Sequence, residues 1–534
     1  MRFIYSIVLF LLISNSLPAK TYYIAPTGSN SNDGSFGLPW LTLSYACSHA
    51  TTSGDIIHVN AGTYIETAKC TLKAGVSIEG EGDASRIISH YSAGGKSDAL
   101  IYLYSASVTS GNQSISYIKL DGDSLKGNRG IYTMNRNNVQ IHHCTFVDFK
   151  ESGVTFDGYG RWAELTAPVT YLTGNSFYNN TMTNCSNSIV DVLSNAALYV
   201  IGQQGFLLYN NTITSGGRAS GNNGELVGTG NAKGLLCHDN IFNSPLENAG
   251  WWNFVGEWWN CRGGIEVYNN VFNGAGTFDI AGLITEKTTY DFAVKIHDNE
   301  FINPTQSLFT SRQVLAICLE AWQSVSDVYV YNNHIRNFGS GVQMTLGKKS
   351  YTNATFDNIY IYNNIIENVG YSNYPTCFAI EVSYQKAVAH YNNINIWNNV
   401  ISGNTPNSYA GIKYDVFDTH TNISIRNNVI QGFTDYSMVF YKNPGGTVDG
   451  LQITNNICYK NGNNAVYFNP GVTPANYISL PNYTSDPLFV SPADFHLKGT
   501  SPAIGAGINV GLTTDKDSVK WNIPPSIGVF EYHR

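Results

Sequence analysis

Charged side chains are scarce in this chain of 534 residues, because Asp, Glu, Lys and Arg together make up only 13% of it. The net charge is −8 and there is no basic block, which argues against nucleic acid or an anionic membrane surface as a partner. Gly, Asn, Tyr and β-branched residues are plentiful instead. This composition favours short strands joined by polar turns over a helical protein.

Cysteine patterns that would indicate a disulfide framework or a zinc site are also missing. The nine Cys are irregularly spaced, with no CxxC pair and no Cys/His cluster at zinc spacing. Most of them fall in or beside strand segments, where Cys is usually a small buried hydrophobe. Cys47 and Cys70, which flank the first predicted coil, are the one candidate disulfide pair.

No segment is long enough and apolar enough to be read as a membrane-spanning helix. The apolar run from Ile4 to Ile13 follows Arg2 and leads to small residues that end at Ala19, which predicts a secretory signal over residues 1–19. The alternative is that this segment is an N-terminal strand or helix of the fold. We expect an exported, free and monomeric protein, either extracellular or periplasmic.

A short signature recurs through most of the chain: an apolar or aromatic residue, two small polar residues that are usually Asn-Asn, then further apolar residues. Successive signatures are 28 to 36 residues apart, a period that is typical of a solenoid of stacked coils. Asn tolerates the left-handed backbone of a sharp bend between strands, and stacked Asn side chains can form a hydrogen-bonded ladder. The pairs are His143-Cys144 (degenerate), Asn179-Asn180, Asn210-Asn211, Asp239-Asn240, Asn269-Asn270, Asp298-Asn299, Asn332-Asn333, Asn363-Asn364, Asn398-Asn399, Asn427-Asn428 and Asn455-Asn456.

The chain is therefore predicted to be one all-β solenoid domain. Residues 20–65 form an N-terminal cap and first strand, in which the apolar spacing from Trp40 to Ala50 predicts a short helix over the open end. Coils follow over 66–470, and an extended segment over 471–534 packs on the last coils.

Both ends of the chain carry a family resemblance. The opening Tyr22–Ser29, followed by Pro39-Trp40 and Ala61–Tyr64, and the closing Asp494–Gly505 resemble secreted proteins of the pectate-lyase superfamily. This resemblance implies a single-stranded right-handed parallel β-helix of roughly 11–13 coils. It implies little about the reaction, because the superfamily contains lyases, glycoside hydrolases, uronan epimerases and non-catalytic proteins.

Four acidic residues precede the first member of their polar pair by the same twelve residues, and a fifth lies in the equivalent strand of its own coil. They are Glu257, Glu286, Glu320 and Asp415, with Glu381 as the fifth. The neighbours Leu319 and Tyr414 can point into the core while the acids face outward. In the superfamily that this chain resembles, the active-site groove runs over this strand.

Coils stack about 4.8 Å apart, so acids on adjacent coils are expected about 5 Å apart and acids one coil further about 10 Å apart. These values bracket the carboxyl separations of retaining (about 5 Å) and inverting (about 6.5–9.5 Å) glycosidases. Such proximity also keeps one carboxyl protonated as a general acid. We rank Glu320 first as this acid, with Glu286 as its partner and the Asp415–Glu381 pair second. Alternatively, the acids form a solvated surface row, bind calcium, or form ion pairs with Lys287, Lys413 and Arg312.

Aromatic residues accompany the acids in sequence. Trp251, Trp252, Trp258, Trp259 and Trp322 lie close to Glu257 and Glu320, and Trp faces commonly stack on sugar rings. We name Trp258, Trp259 and Trp322 as candidate substrate contacts. The alternative is that some of these side chains fill the core.

A second candidate centre is Tyr414-Asp415-Val416-Phe417-Asp418-Thr419-His420. It is loosely similar to the Tyr…Asp-Pro-His signature of mannuronan epimerases and related lyases, with Thr419 in place of Pro. Lyases of the superfamily also use a Lys or Arg base with calcium, for which Lys413 and Arg312 are candidates. Lys413, Arg312 and His420 are also candidate substrate contacts.

The sequence thus favours a polysaccharide-cleaving glycoside hydrolase that needs no cofactor, with calcium as an open possibility. The alternatives are a polysaccharide lyase, a uronan epimerase, and a non-catalytic glycan-binding β-helix.

Overall fold

Each sequence repeat forms one turn of a right-handed parallel β-helix in the computed structural model, as predicted. The strand Leu207–Tyr209, for example, pairs in parallel with Ser176–Tyr178 of the preceding coil and with Leu236–His238 of the following coil. The structure describes residues 18–533 apart from 94–97, 159–166, 187–195, 217–224, 245–253, 275, 283–288, 305, 307–313, 322–323, 347–353, 385–388, 404–405 and 444. The segment predicted as a secretory signal lies almost wholly outside these residues.

The strands of successive coils stack into three parallel sheets, which we name A, B and C in the order in which a coil visits them. Sheet A contains Cys70–Thr71, Ser152–Asp157, Ala196–Ile201, Glu225–Gly230, Phe254–Trp259, Thr277–Ala281, Leu315–Ala321, Ser340–Leu346, Cys377–Tyr384, Ser408–Val416, Tyr436–Lys442 and Asn463–Phe468. Sheet B contains Thr21–Ile24, Ile56–Val59, Ser176–Tyr178, Leu207–Tyr209, Leu236–His238, Ile265–Tyr268, Val294–His297, Val325–Tyr331, Ala354–Tyr362, Ala389–Trp397, Thr419–Arg426, Thr447–Asp449 and Gln452–Thr454. Sheet C contains Gly62–Glu66, Thr145–Val147, Thr181–Thr183, Thr212–Thr214, Ile241–Ser244, Val271–Gly274, Glu300–Ile302, His334–Arg336, Ile365–Val369, Val400–Gly403, Val429–Gln431 and Ile457–Tyr459.

A few strands depart from this three-sheet pattern. Three long strands near the N-terminus continue around corners and pair within more than one sheet: Ser77–Ser89, Ile101–Asp121 and Arg129–His142. Leu172–Thr173 pairs with Gln203–Gln204 at a corner, and Phe489–Ser491 forms an antiparallel pair with Asp494–Leu497.

The Asn pairs form the bend between sheets B and C. The first member of each pair adopts the left-handed conformation, as at Asn269 (φ 54°) and Asn332 (φ 56°), which Asn tolerates better than most residues. The second member is buried and accepts hydrogen bonds from the second member of the preceding coil, so that the side chains form a continuous ladder. The prediction that Asn270, Asn333, Asn364, Asn399 and Asn428 stack in one line is confirmed.

Inward-facing apolar residues of the three sheets form one core along the helix axis. Equivalent side chains of adjacent coils stack on one another, as in the series Phe242, Phe272 and Phe301, whose ring centroids are 5.1 and 4.4 Å apart. A residue therefore belongs to the core or to the surface according to its place in the strand alternation.

A short helix, Leu43–His49, lies at the N-terminal end of this core. Its N-cap Thr42 accepts a hydrogen bond from the Tyr45 backbone N–H, and Leu43, Ala46 and Cys47 are buried. The helix is shorter than the predicted span from Trp40 to Ala50. The candidate disulfide is not formed in the structure, in which Cys47 and Cys70 are buried free thiols that contact each other.

The C-terminal segment packs along the edge formed by the Asn bends. Phe495, Leu497 and Ile527 contact apolar residues that begin successive sheet C strands, such as Val400 and Val429. First members of the Asn pairs also bond to this segment: Asn363 to Thr514, Asn398 to Gly528, Asn427 to Ile508, Asn455 to Ala506, and the Asn332 carbonyl to the Lys516 ammonium. Within the described residues, no helix has the length and apolar character needed to cross a membrane.

Candidate functional site

The outer face of sheet A gathers the acidic side chains that the sequence indicated. Leu319 and Tyr414 are fully buried in the core, so the prediction that they point inward is confirmed. The alternation then directs the neighbouring Glu320 and Asp415 outward.

The expected single row of acids is wrong, because the strands pair in a different register. Glu257 pairs with Asp279, and further along the same row Glu381 pairs with Lys413. Glu320 pairs with Ala281 and Thr345, two residues further along the strands. Counting back from the Asn bend misplaced the residues, because the segment between sheet A and the bend differs in length from coil to coil.

Three side chains from two adjacent strands come together on the described part of this face. One carboxylate oxygen of Asp279, one of Glu320 and the Cys318 sulfur all lie within 4.8 Å of one another. Asp279 is buried, whereas Glu320 is partly exposed. Burial, followed by the charges of Asp279 and Glu320, raises the pKa of the Cys318 thiol well above its ordinary value, so this thiol stays neutral.

Asp279 was not among the predicted site residues. Its coil has a long segment after the strand, so it does not lie twelve residues before a polar pair. The alternation Phe278-Asp279-Ile280, with both apolar side chains in the core, is the signal that could have identified it.

A second cluster lies further along the same face. The Lys413 ammonium is 2.7 Å from Glu381 Oε1 and 3.0 Å from Asp415 Oδ2, and the Gln343 amide donates to Glu381 Oε2 at 2.8 Å. Burial alone would lower the pKa of Lys413, but attraction to Glu381 and Asp415 outweighs it and raises that pKa above its ordinary value. Lys413 is thus a cation that forms ion pairs with both Glu381 and Asp415.

The predicted tryptophan contacts are only partly consistent with the structure. Trp258 is 1% exposed, and its ring packs edge-on against Phe278 at 4.9 Å, so its assignment to substrate binding is wrong. The next residue of the strand, Trp259, is on the opposite, outer face. It is partly exposed and lies in the same row as Glu320.

The Tyr414–His420 centre lies inside the protein. Both side chains are 0% exposed, and His420 bonds to the Tyr414 hydroxyl at 3.1 Å and to the Phe417 carbonyl at 2.6 Å. Burial lowers the pKa of His420 to about 4. The assignment of His420 to substrate binding is therefore wrong, since a glycan on the surface does not reach it.

Three predicted site residues, Glu286, Arg312 and Trp322, lie outside the described residues, and only the backbone of Glu257 is described. Calcium is held by six to eight oxygen ligands, of which the described cluster of Asp279, Glu320 and Cys318 supplies two carboxylates beside a thiol. A calcium requirement stays a prediction.

The chain matches no protein-family model and none of the curated proteins. Solved structures similar to it include a tailspike protein of E. coli bacteriophage HK620 in complex with a hexasaccharide (14% identity, 82% of this chain and 75% of that chain, TM-score 0.46). They also include the catalytic unit of a GH87 α-1,3-glucanase from Streptomyces thermodiastaticus (13% identity, 86% and 67%, TM-score 0.36). A third is an alginate lyase from Paenibacillus sp. (16% identity, 71% and 95%, TM-score 0.30).

Proposed function

We propose that this chain is an exported carbohydrate-active enzyme that cleaves a polysaccharide by hydrolysis, with Asp279 and Glu320 as its carboxyl pair. The observation that carries the proposal is that carboxylate oxygens of these two residues approach within 4.8 Å on the outer face of sheet A. Two acids this close are characteristic of a retaining glycosidase, whose carboxyl groups lie about 5 Å apart.

Glu320 is assigned as the general acid. Two neighbouring carboxyls disfavour ionising together, which favours the protonated form of one of them. Glu320 is the more exposed member and can reach a glycosidic oxygen of a chain that lies on the outer face of sheet A.

Asp279 is assigned as the nucleophile. Its carboxylate attacks the anomeric carbon while Glu320 protonates the departing oxygen, and water then releases the sugar with Glu320 acting as base. Asp279 thus replaces Glu286, the partner named from the sequence.

A lyase or epimerase mechanism is less well supported, because the candidate bases are poorly placed to abstract a proton. Lys413 lies between Glu381 and Asp415 as a cation, and a proton-abstracting base must be neutral. Tyr414 and His420 are enclosed in the core. The cluster around Lys413 instead suits orientation of the substrate.

The test is an assay of depolymerisation against a panel of plant and algal polysaccharides. We expect new reducing ends without the ultraviolet absorbance of an unsaturated product, and loss of turnover in Glu320→Gln and Asp279→Asn. Glu300→Gln, which alters a partly exposed acid on sheet C, is the matched control and should retain activity. Unsaturated products, or full activity of Glu320→Gln, would refute the assignment. Recovery of the processed chain outside the cytoplasm tests export.

A further inference from the structure

The C-terminal segment leaves a cavity between itself and the edge formed by the Asn bends. Its volume is about 430 Å³, and Asn398 and Asn427 form its floor. Apolar side chains of the segment line its walls, and two of them, Ile508 and Ile523, are 40% and 83% exposed. The cavity has the size of a small-molecule site, since ligand pockets range from about 300 to 1,000 Å³ and have mostly apolar walls.

Hydrogen bonds hold the floor and the wall around Ile508 in place. The Asn427 side chain bonds to both backbone groups of Ile508, accepting from its N–H at 2.9 Å and donating to its carbonyl at 2.8 Å. Asn427 also donates to Asn398 Oδ1 at 3.1 Å. The Asn398 amide in turn donates to the Gly528 carbonyl at 3.2 Å. The polar groups of the floor are therefore engaged within the protein, and the cavity is preformed.

Another wall of the cavity is a short hairpin. Thr514 and Lys520 form an antiparallel bridge across it, and both line the cavity together with Trp521. The Asp515 carboxylate stabilises the turn of the hairpin, because its Oδ1 accepts from the Val519 backbone N–H at 2.8 Å. Lys520 and Trp521 are thus placed at the cavity by a fixed backbone.

Trp521 supplies a buried donor that lacks an acceptor. The residue is 8% exposed, and its indole N–H has no hydrogen-bond partner among the described residues. The similarly buried Trp40 shows the usual arrangement, since its indole N–H donates to the Asn32 carbonyl at 2.8 Å. A buried donor without an acceptor is unfavourable and rare in native proteins. An oxygen atom of a ligand in the cavity would satisfy it.

The charged side chain at the cavity is a cation. Lys520 forms no ion pair among the described residues, and none of the described residues that line the cavity is acidic. Two acids of the same segment bind elsewhere: Asp517 lies 2.9 Å from His496, and Glu531 accepts from the Ser526 backbone N–H at 2.9 Å. An ammonium and an N–H donor together favour an anionic oxygen, because charge-assisted hydrogen bonds are stronger than neutral ones.

We infer that this cavity is a binding site for a small organic carboxylate with a hydrocarbon part, distinct from the carboxyl pair on sheet A. The ligand carboxylate accepts from the Trp521 indole N–H and pairs with the Lys520 ammonium. The hydrocarbon part covers the apolar walls around Ile508 and Ile523. Because the ligand lies between the C-terminal segment and the Asn bends, its binding also stabilises the attachment of that segment to the helix.

The experiment is isothermal titration calorimetry of the full-length protein with cinnamate and with octanoate. Each acid is compared with the alcohol of the same carbon skeleton, cinnamyl alcohol or octanol, and acetate serves as a carboxylate without a hydrocarbon part. We expect at least one of the two acids to bind with a dissociation constant in the millimolar range or tighter. Its alcohol should bind about tenfold more weakly, and acetate should give no measurable binding.

Substitutions and hydrogen exchange locate the site. Trp521→Phe keeps an aromatic ring but removes the N–H donor, and should weaken binding about two- to tenfold. Lys520→Gln should weaken it about tenfold, and because Lys520 is exposed this variant covers the case in which Trp521→Phe fails to fold. Trp40→Phe, in the N-terminal cap, is the matched control and should leave binding unchanged. The bound ligand should slow hydrogen exchange at residues 506 to 528 and not at sheet A.

Three results would each overturn the inference: no binding of either acid, equal affinity for an acid and its alcohol, and unchanged affinity in the folded Trp521→Phe and Lys520→Gln variants. Protection confined to sheet A would also overturn it, because the ligand would then lie beside Asp279 and Glu320. None of these results depends on the hydrolysis assay, since neither substitution alters the carboxyl pair.

Discussion

Asn333→Ala is expected to destabilise the protein strongly, although Asn333 lies at the bend between sheets B and C and not on sheet A. Its side chain is 0% exposed. Its Oδ1 accepts from the Asn299 backbone N–H at 3.2 Å and from the Asn299 amide at 3.0 Å. Its Nδ2 donates to the Ile296 carbonyl at 2.8 Å, to the Tyr331 carbonyl at 3.0 Å and to Asn364 Oδ1 at 3.0 Å.

The magnitude follows from these contacts. A buried backbone N–H without an acceptor costs about 1–3 kcal/mol, and each of the other lost bonds contributes about 0.5–1.5 kcal/mol net. Partial relaxation reduces the sum, so we expect a loss of about 3–5 kcal/mol in the free energy of unfolding. That is a large share of the about 5–15 kcal/mol typical of a folded domain.

The assay is urea unfolding followed by circular dichroism, with hydrogen exchange at the coils on either side of Asn333. Asn273→Ala is the matched control, since Asn273 faces outward from sheet C and its amide makes one part-buried bond, to Asn243 at 3.3 Å. It should cost less than about 1 kcal/mol. A loss below about 1 kcal/mol for Asn333→Ala would refute the view that the ladder holds adjacent coils together.

Three further predictions concern stability and solubility. Lys413→Met leaves its two acidic partners without their shared cation and should lower the free energy of unfolding by about 2–4 kcal/mol. Because the pKa of Lys413 is raised, this difference should persist from neutral pH upward and fade only above the ordinary lysine value of 10.5. Unfolding of both proteins measured as a function of pH will show this. Since burial lowers the pKa of His420 from 6.5 to about 4, the unfolded state binds the proton first, and stability should fall by about 3 kcal/mol between pH 6.5 and pH 4 in the parent protein but not in His420→Gln. Deletion of residues 21 to 64, which include the capping helix, should give insoluble protein, and recovery of a soluble monomer would contradict a capping role.

The architecture was predictable because one local rule repeats along the chain. Each Asn pair marks the same bend, and the left-handed conformation at Asn269, Asn332 and their equivalents is a property of single residues that does not depend on distant contacts. The ladder then fixes the register of sheets B and C on both sides of the bend. These features could be read from spacing alone.

The candidate site was less predictable because it depends on register in sheet A. Segments of unequal length separate that sheet from the bend, so Glu257 and Glu320, which share one sequence offset, lie in different rows. Asp279 was missed for the same reason. Trp258 and His420 show a second limit, since their burial depends on which face of a strand they occupy and not on their proximity to acids in the sequence.

The contacts of the C-terminal segment change how this solenoid responds to a mechanical pulling force. In a simple stack each coil touches only its neighbours, so a force applied at one end peels the coils away one after another. Here residues 506 to 528 are bonded to Asn332, Asn363, Asn398, Asn427 and Asn455. A pull on the C-terminus is therefore shared as shear among five coils, and the Lys516 contact joins positions 184 residues apart in the chain. These coils should detach together and at higher force than the coils that the segment does not reach.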